Sequence, residues 1–309
     1  MQLNFDRRVA DSLPQTWVDR APLALRPYLR LARYDRPIGF WLLALPCWMG
    51  LVAASIGTGL SLVDFYYAIL FAIGAIAMRG AGCTYNDIID RDLDARVART
   101  ADRPLAAGTV SLKQAWAFLG LQSLVGLIVL VQLPLIAILT GLAALLLVAA
   151  YPFMKRITWW PQAWLGLTFN WGVPVAWVAA SGAFEPGLFA LYGAMIFWTL
   201  GYDTIYAHQD SEDDALVGVR STARLFGEHS PYWISGFYLV TAVLTGLTLY
   251  LQAASPFAVI PFALFSAHLF NQIRRLDPAD GVLCLDIFKS NRITGLLLVA
   301  TFAVAAVLT

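Results

Sequence analysis

The sequence predicts an all-α integral membrane protein, because its composition and its apolar runs both require a lipid environment. Hydrophobic residues make up 59% of the 309 residues, only 13% are charged, and the mean hydropathy is +0.67. This composition is typical of polytopic membrane proteins and excludes an ordinary soluble domain. The apolar runs are long enough to cross about 30 Å of hydrocarbon as helices.

Nine runs qualify as candidate membrane spans, and the shortness of the eighth leaves eight spans as an alternative. Their approximate ranges are 37–56, 65–84, 115–132, 134–151, 163–181, 187–206, 232–251, 256–271 and 293–308. A polar, arginine-bearing segment precedes them. We therefore predict an N-terminal arm over residues 1–36 and a single polytopic domain over residues 37–309.

The basic residues predict the orientation. With nine spans, all 21 Lys and Arg residues lie in the N-terminal arm, in the loops after spans 2, 4, 6 and 8 or, for Arg79, in the later part of span 2. Because positively charged loops stay in the cytoplasm, these regions are predicted to be cytoplasmic. The net charge of +1 conceals this asymmetry. The sequence contains no basic run or aromatic-basic platform that would indicate a nucleic-acid partner.

The N-terminal arm has the pattern of an interfacial segment. Residues 25–35, LRPYLRLARYD, alternate Leu, Tyr and Arg as an amphipathic helix at a membrane surface would. The arm lacks the apolar core of a cleavable signal peptide. We expect a multi-pass protein of a bacterial inner membrane. A mature mitochondrial form would have the same appearance, which keeps the mitochondrial inner membrane as the alternative.

The first acidic region, NDIIDRDLD at positions 86–94, follows the second apolar run. Asn86, Asp90 and Asp94 are spaced at i, i+4 and i+8, so they form one stripe if the helix continues, with Asp87 beside it. Like charges on one helical stripe repel each other. A divalent cation would compensate that repulsion.

The second acidic region, QDSEDD at positions 209–214, follows the sixth apolar run. Asp210 and Asp214 are again four residues apart, Asp213 is an alternative ligand, and Asp203 is predicted on the same face. Most charge runs are solvated loop residues. That interpretation is disfavoured here, because both acidic regions end equivalent spans and arginines follow each of them.

Acidic stripes followed by arginines indicate a diphosphate site. Arg96, Arg99 and Arg103 follow the first region, and Arg220 and Arg224 follow the second. Mg²⁺ binds a few carboxylates, keeps several waters and accepts phosphate oxygens, which makes it the predicted cofactor. Metal and arginines together would stabilise a diphosphate leaving group.

Arg79 lies inside the second apolar run, seven residues before Asn86. It would therefore lie about 10.5 Å deeper along the same helix face. An arginine at the bilayer centre costs roughly 2.5 to 3.5 kcal/mol and needs an anionic partner. A buried acid such as Asp203 and a substrate carboxylate are equally good candidates. Gly80 and Gly82 would let a helix or ligand approach closely.

Several aromatic and polar residues in the apolar runs have two interpretations. Tryptophan faces could stabilise a carbocation, but interfacial anchoring or packing is the more common role. The tryptophans are Trp159, Trp160, Trp164, Trp171 and Trp177. Asn170 and Tyr151 would either contribute to a cavity or form hydrogen bonds between helices.

These motifs resemble the UbiA superfamily of intramembrane aromatic prenyltransferases. The resemblance runs from about Arg33 to the last span and is carried by RPIGFWLL, MRGAGCTYNDIIDRD with RTADRPLAAG, YPFMKR and GYDTIYAHQDSEDDALVGVRSTARLFG. It implies nine transmembrane helices around a central cavity, with a cytoplasmic cap of loops and short helices. The loops at about 85–111 and 207–229 would form the active site.

The resemblance also implies a role for each matching residue. Asn86, Asp90 and Asp94 match the first metal motif, and Asp210 and Asp214 match the second. Asp87 is a neighbouring candidate ligand. Arg99, Lys155 and Arg156 match positions associated with diphosphate binding, and Arg79 matches the arginine proposed to hold the aromatic acid.

The implied reaction is Mg²⁺-assisted loss of diphosphate from a polyprenyl diphosphate and attack by an aromatic ring. The second region most resembles members that act on 4-hydroxybenzoate, which would be prenylated ortho to its hydroxyl for ubiquinone synthesis. Asp203 could accept the phenolic or ring proton. Membrane lipid would surround the protein, and a lateral opening to the lipid would admit the long tail. Alternative acceptors are haem, a naphthoate, homogentisate or a chlorophyll precursor. An ion-coupled transporter is a further alternative, since it also has intramembrane charges and repeated halves.

Overall fold

The described part of the chain is helical, with no β-strand. The computed structural model describes residues 15–96, 100–210, 215 and 218–308. Short 3₁₀ turns cover Trp17–Arg20, His208–Asp210, Gly227–His229 and Pro256–Ala258. The α-helices in chain order are α1 (Arg26–Leu31), α2 (Ile38–Ala54), α3 (Leu62–Asp94), α4 (Leu112–Leu130), α5 (Leu135–Ile157), α6 (Pro161–Phe169), α7 (Gly172–Ser181), α8 (Pro186–Ala207), α9 (Thr222–Phe226), α10 (Ser230–Leu251), α11 (Val259–Arg275) and α12 (Gly281–Val307).

The helices confirm the predicted class of an all-α, multi-pass membrane protein, but not its count of nine. Among the described residues, seven helical segments are long and apolar enough to cross a membrane. The first predicted span corresponds to the 17-residue helix α2, which is shorter than the seven helical segments counted as membrane spans. The fifth is divided into α6 and α7.

The division between α6 and α7 has a local cause. Pro174 has no backbone N–H, so it cannot donate the helical hydrogen bond to the carbonyl of Asn170. The Val173 amide donates to that carbonyl instead, at 2.9 Å. The Asn170 side chain adds its own bond to the Gly166 carbonyl, at 2.8 Å. A periodicity search over apolar residues does not register these backbone constraints.

Two compact units make up the described chain. The first unit is formed from Met1–Trp41 and Ala72–Leu130. Its buried core joins Leu31 to Leu105, Val110 and Ala115, with Tyr28, Ile88 and Phe118 packed around them. The N-terminal arm is therefore packed against the loop that follows the first acidic region. The predicted extent of one domain over residues 37–309 stays a prediction.

The second unit is formed from Leu42–Phe71 and Val131–Thr309. Small residues let its helices approach closely, as expected for membrane helices. A Cβ at Gly201 of α8 would lie 2.7 Å from Cδ1 of the Tyr238 ring in α10 and closer still to its Cε1, and one at Gly295 of α12 would lie 3.1 Å from the Trp198 ring. Gln272 of α11 accepts a hydrogen bond from the Tyr238 hydroxyl at 2.8 Å. Buried side-chain hydrogen bonds thus complement the apolar packing.

Candidate active site

Helix α3 carries the first acidic region without interruption. It extends for 33 residues and ends at Asp94, so Asn86, Asp90 and Asp94 lie on one helical stripe, as the spacing predicts. The carboxylates are not solvated loop residues. Asp87, Asp90 and Asp94 are 2%, 0% and 6% exposed. Because burying a charge is costly without a partner, these acids require compensation.

Two arginines of the same unit provide part of that compensation. The Arg33 guanidinium donates to Asp87 at 2.8 Å. The Arg103 guanidinium donates to Asp94 at 2.7 Å and to Asp87 at 3.3 Å. Sequence reasoning identified Arg103 among the arginines that follow the stripe, but it missed Arg33. No local spacing relates Arg33 to Asp87, which lies 54 positions further along the chain.

Arg33 has an uncommon backbone conformation. Its φ of 56° lies in the left-handed region, which residues other than glycine seldom adopt. Such conformations persist when surrounding contacts hold them in place. Here the contacts include the ion pair with Asp87 and the hydrogen bonds of the next residue, Tyr34, whose hydroxyl donates to the Ile76 carbonyl at 3.2 Å. The N-terminal arm thus adds a cation to the acidic stripe.

The donor set of the stripe fits Mg²⁺ in its chemistry. One amide oxygen and three carboxylates are hard oxygen ligands, and Mg²⁺ binds through one or two carboxylates while keeping waters. Among the described residues, no group of three or more His, Cys, Asp or Glu side chains forms a preassembled metal cluster. Arg103 bridges Asp87 and Asp94 where a cation would otherwise balance their charges.

Arg79 lies two helical turns before Asn86 on α3, and it is half-buried. Its guanidinium lies against Gly39 in the first turn of α2. The two glycines near Arg79 differ. A Cβ at Gly80 would lie 3.0 Å from the Tyr34 hydroxyl and would also collide with the Gln122 amide, whereas one at Gly82 would meet nothing within 4 Å. Gly80 therefore permits close packing, and Gly82 faces open space.

The second acidic region has a different local structure. Asp203 lies in the last part of α8, which ends at Ala207, and Asp210 ends the following 3₁₀ turn. The predicted continuous face from Asp203 to Asp210 is therefore interrupted by the end of the helix. Burial lowers the pKa of His208, because it disfavours the charged form of the imidazole. Asp213, Asp214 and Arg99 lie outside the described residues.

Basic residues of the second unit gather at the end of α5. Lys155 and Arg156 lie in its last turn. The backbone amide of Arg220 donates to the Lys155 carbonyl at 3.1 Å, and its guanidinium donates to the Ile157 carbonyl at 2.9 Å. The segment after the second acidic region is thereby attached to the predicted diphosphate-binding pair.

Trp159 lies within this basic cluster. The guanidinium carbons of Arg220 and Arg224 lie 5.7 and 5.4 Å from the centre of its ring. Both distances are within the range of cation–π attraction. Arg224 also donates to the carbonyl of Val219. Trp159 therefore contacts protein cations rather than serving only as an interfacial anchor.

The other predicted aromatic and polar residues have packing contacts in the described structure. Trp160 belongs to an aromatic cluster with Phe226 and Phe237. The indoles of Trp164, Trp171 and Trp177 donate to Leu147, Thr140 and Glu185. Asn170 is fully buried and donates to the Met195 carbonyl and the Thr199 hydroxyl of α8. Hydrogen bonding between helices is thus the observed role of Asn170.

Comparison with known proteins adds independent information. Residues 39–307 match the UbiA prenyltransferase family. The chain is 50% identical over 287 residues to the "4-hydroxybenzoate polyprenyltransferase, mitochondrial" of Rattus norvegicus, covering 91% of this chain and 75% of that protein. The apo structure of a UbiA homologue from Aeropyrum pernix K1 superposes with a TM-score of 0.71 at 26% identity, covering 84% of this chain and 96% of that one. A UbiA homologue from Archaeoglobus fulgidus bound to GPP and Mg²⁺ has the same fold, with a TM-score of 0.68 at 21% identity and coverage of 92% and 100%.

Proposed function

Because the chain belongs to the UbiA prenyltransferase family, we propose that it transfers a polyprenyl group from a polyprenyl diphosphate to 4-hydroxybenzoate. The allylic C–O bond breaks and diphosphate departs with the electron pair. A bond then forms between the allylic carbon and the ring carbon ortho to the hydroxyl. Loss of a proton restores the aromatic ring. The product is a 3-polyprenyl-4-hydroxybenzoate, a precursor of the ubiquinone ring.

The buried acidic stripe on α3 is the observation that carries this proposal. Carboxylates with 0–6% exposure are costly to bury unless cations balance their charge, and Arg33 and Arg103 are two such cations. We assign Mg²⁺ binding to Asn86, Asp87, Asp90 and Asp94 of the first region and to Asp210 and Asp214 of the second. Bound Mg²⁺ would neutralise the charge that develops on the departing diphosphate.

The basic residues hold the phosphate oxygens in this proposal. Lys155 and Arg156 end α5, so they carry positive charge beside the apolar body of the helix. Arg99 has the same assigned role. Charge-assisted hydrogen bonds to phosphate are among the strongest available in proteins. These residues would therefore lower the barrier to diphosphate loss by stabilising the leaving group.

Arg79 and Asp203 act on the aromatic acid. Arg79 would bind the 4-hydroxybenzoate carboxylate, since a half-buried guanidinium in an apolar helix favours an anionic partner. Asp203 would accept the phenolic or ring proton. The apolar helices exclude water, which would otherwise capture the allylic cation. Prenyl transfer therefore requires a correctly oriented aromatic acid and an active site that excludes water.

The protein's location follows from its helices and its charges. Seven helical segments have the length and composition of membrane spans, which identifies a multi-pass membrane protein. The distribution of Lys and Arg supports an inner membrane with the site on the cytoplasmic side in a bacterium, or the mitochondrial inner membrane in a eukaryote. Membrane lipid is the expected partner for the exposed apolar side chains of α3, α4 and α5.

The position of the stripe also separates this function from ion-coupled transport. Transporter acids lie near the middle of the bilayer. The stripe occupies the last nine residues of the 33-residue helix α3. A carboxylate stripe at a helix end suits a diphosphate that approaches from the membrane surface with its tail in lipid.

Prenyl transfer by purified protein tests the proposal. The assay supplies geranyl or longer polyprenyl diphosphate, Mg²⁺ and one acceptor from a panel of 4-hydroxybenzoate, homogentisate, a naphthoate, haem and a chlorophyll precursor. We expect 3-polyprenyl-4-hydroxybenzoate as the main product, identified by mass spectrometry, and none with EDTA. Preferential prenylation of another acceptor would contradict the assigned substrate. Undiminished turnover by Asp203→Asn would remove that residue as the base.

A further inference from the structure

Gly39 leaves the space in which the Arg79 guanidinium lies. A Cβ added to Gly39 would lie 2.8 Å from both Cζ and Nη2 of Arg79 and closer still to Nε. Real Cβ atoms do not approach other heavy atoms so closely. Both residues belong to the first compact unit. Any side chain at position 39 would therefore displace the guanidinium.

Backbone conformation does not explain this glycine. Gly39 lies in the first turn of α2 and is absent from the described glycines with positive φ, which include Gly57 and Gly108. Alanine is a better helix former than glycine by about 1 kcal/mol. A glycine in ordinary helical conformation thus forgoes helix stability, and the space it leaves is filled by Arg79.

A second glycine of α2 shows why the Arg79 contact is different. A Cβ at Gly50 would lie 2.5 Å from the Val173 carbonyl oxygen and 3.0 Å from its Cα, so it would collide with a helix backbone. At Gly39 the colliding atoms are the far end of a flexible side chain. Alanine at position 39 is therefore compatible with the fold, but not with the present position of the guanidinium.

We propose that Gly39 is a positioning residue for the aromatic acid, acting through Arg79. The inference rests on the proposed function, in which Arg79 binds the substrate carboxylate. Displacement of the guanidinium weakens the charge-assisted hydrogen bonds to that carboxylate, which depend on distance and angle. The polyprenyl diphosphate binds through other residues. The glycine therefore affects the affinity for the acid and leaves the affinity for the diphosphate unchanged.

Steady-state kinetics of Gly39→Ala test the inference. We expect the KM for 4-hydroxybenzoate to rise about tenfold or more, the loss typical of a hydrogen bond to a charged group. The KM for polyprenyl diphosphate should not change. Gly126→Ala is the matched control, because a Cβ there collides with the flexible side chain of Met78, the residue before Arg79. It should leave both KM values unchanged.

A double-mutant cycle and a labelling experiment give readouts that a general packing defect would not move. In an Arg79→Ala background, Gly39→Ala should raise the KM for the acid no further, because the displaced group is gone. The rate at which phenylglyoxal modifies Arg79, measured by peptide mass spectrometry, should change in Gly39→Ala and not in Gly126→Ala. This second readout does not depend on turnover.

Four results would overturn the inference, and they have different meanings. An unchanged KM for the acid in Gly39→Ala, with a raised KM in Arg79→Ala, overturns the role of Gly39 alone. The role of Gly39 is also overturned if Gly39→Ala raises the KM for the acid equally with and without Arg79. It is overturned as well if the rate of phenylglyoxal labelling of Arg79 does not change in Gly39→Ala. An unchanged KM in Arg79→Ala also overturns the proposed carboxylate contact of Arg79.

Discussion

The two acidic regions resemble each other in sequence and differ in local structure. In the first region, α3 continues through Asp94 and holds its acids on one buried helical stripe. In the second, α8 ends at Ala207 and a 3₁₀ turn carries the chain to Asp210. The predicted face from Asp203 to Asp210 is therefore interrupted by the end of α8, whereas the predicted stripe on α3 is continuous. Spacing alone does not reveal where a helix ends.

The difference in structure predicts a difference in how the regions respond to mutation. The first region has arginine partners within its own unit, so its acids contribute to stability as well as to the proposed metal site. In the second region, Gln209 and Asp210 belong to a 3₁₀ turn that follows α8. We expect mutations there to reduce activity with little change in stability. The following predictions test this contrast.

Asp90→Ala should have the largest effect on activity. Asp90 is fully buried at the centre of the stripe, and its loss should reduce kcat by about 10²–10³-fold, as removal of a preorganised electrostatic group does. Product formation at saturating Mg²⁺ measures the effect. Asp92→Ala is the control, because Asp92 lies two residues away on α3 with 79% of its side chain exposed. Equal losses in the two variants would contradict the importance of the stripe.

Asp210→Ala tests the second region by the same assay. If this region also holds Mg²⁺ and diphosphate, turnover should fall by a comparable factor of about 10², while the unfolding temperature changes little. Glu228→Ala provides a control, since this acid is exposed in the 3₁₀ turn that precedes α10. Full activity of Asp210→Ala would contradict metal binding by the second region and would favour the interpretation that its acids are solvated.

Asp87→Ala tests how much the ion pairs of the first region contribute to stability. The substitution removes the carboxylate that accepts the hydrogen bond from Arg33 and one of the two acids paired with Arg103. Breaking a buried ion pair from one side costs about 3 kcal/mol. We expect a lower unfolding temperature, measured by the reaction of a thiol-specific dye with the buried Cys83 and Cys284. An unchanged unfolding temperature would mean that the ion pairs of Asp87 with Arg33 and Arg103 do not contribute to stability.

Trp159→Leu should have the smallest effect. Each cation–π contact with Arg220 or Arg224 is worth about 0.5–1 kcal/mol at an exposed site. The same dye assay should detect a small fall in the unfolding temperature. Trp116→Leu is the control, because Trp116 is an exposed tryptophan of α4 with no stacked arginine in the described part of the chain. A larger loss in Trp116→Leu would contradict the stacking argument.

Local features of the fold and site were predictable from the sequence, and long-range ones were not. Apolar runs predicted the helical class, and the i, i+4, i+8 spacing predicted the stripe that α3 carries. The break at Asn170 depends on one missing amide proton at Pro174, which hydropathy ignores. The pairing of Arg33 with Asp87 and the packing of Gly39 on Arg79 join distant positions, so no local pattern reports them.

The most direct test of the proposal that both acidic regions support Mg²⁺-dependent turnover is a Mg²⁺ titration of prenyl transfer by the wild-type protein, Asp90→Ala, Asp210→Ala and the double variant. We predict that wild-type turnover requires Mg²⁺ and that each single variant needs more metal for a lower maximal rate. The double variant should be little worse than either single variant, because residues that act as one unit are not additive. Wild-type turnover that persists in EDTA, or two losses that multiply independently, would contradict the proposal that both acidic regions serve the same Mg²⁺-dependent step.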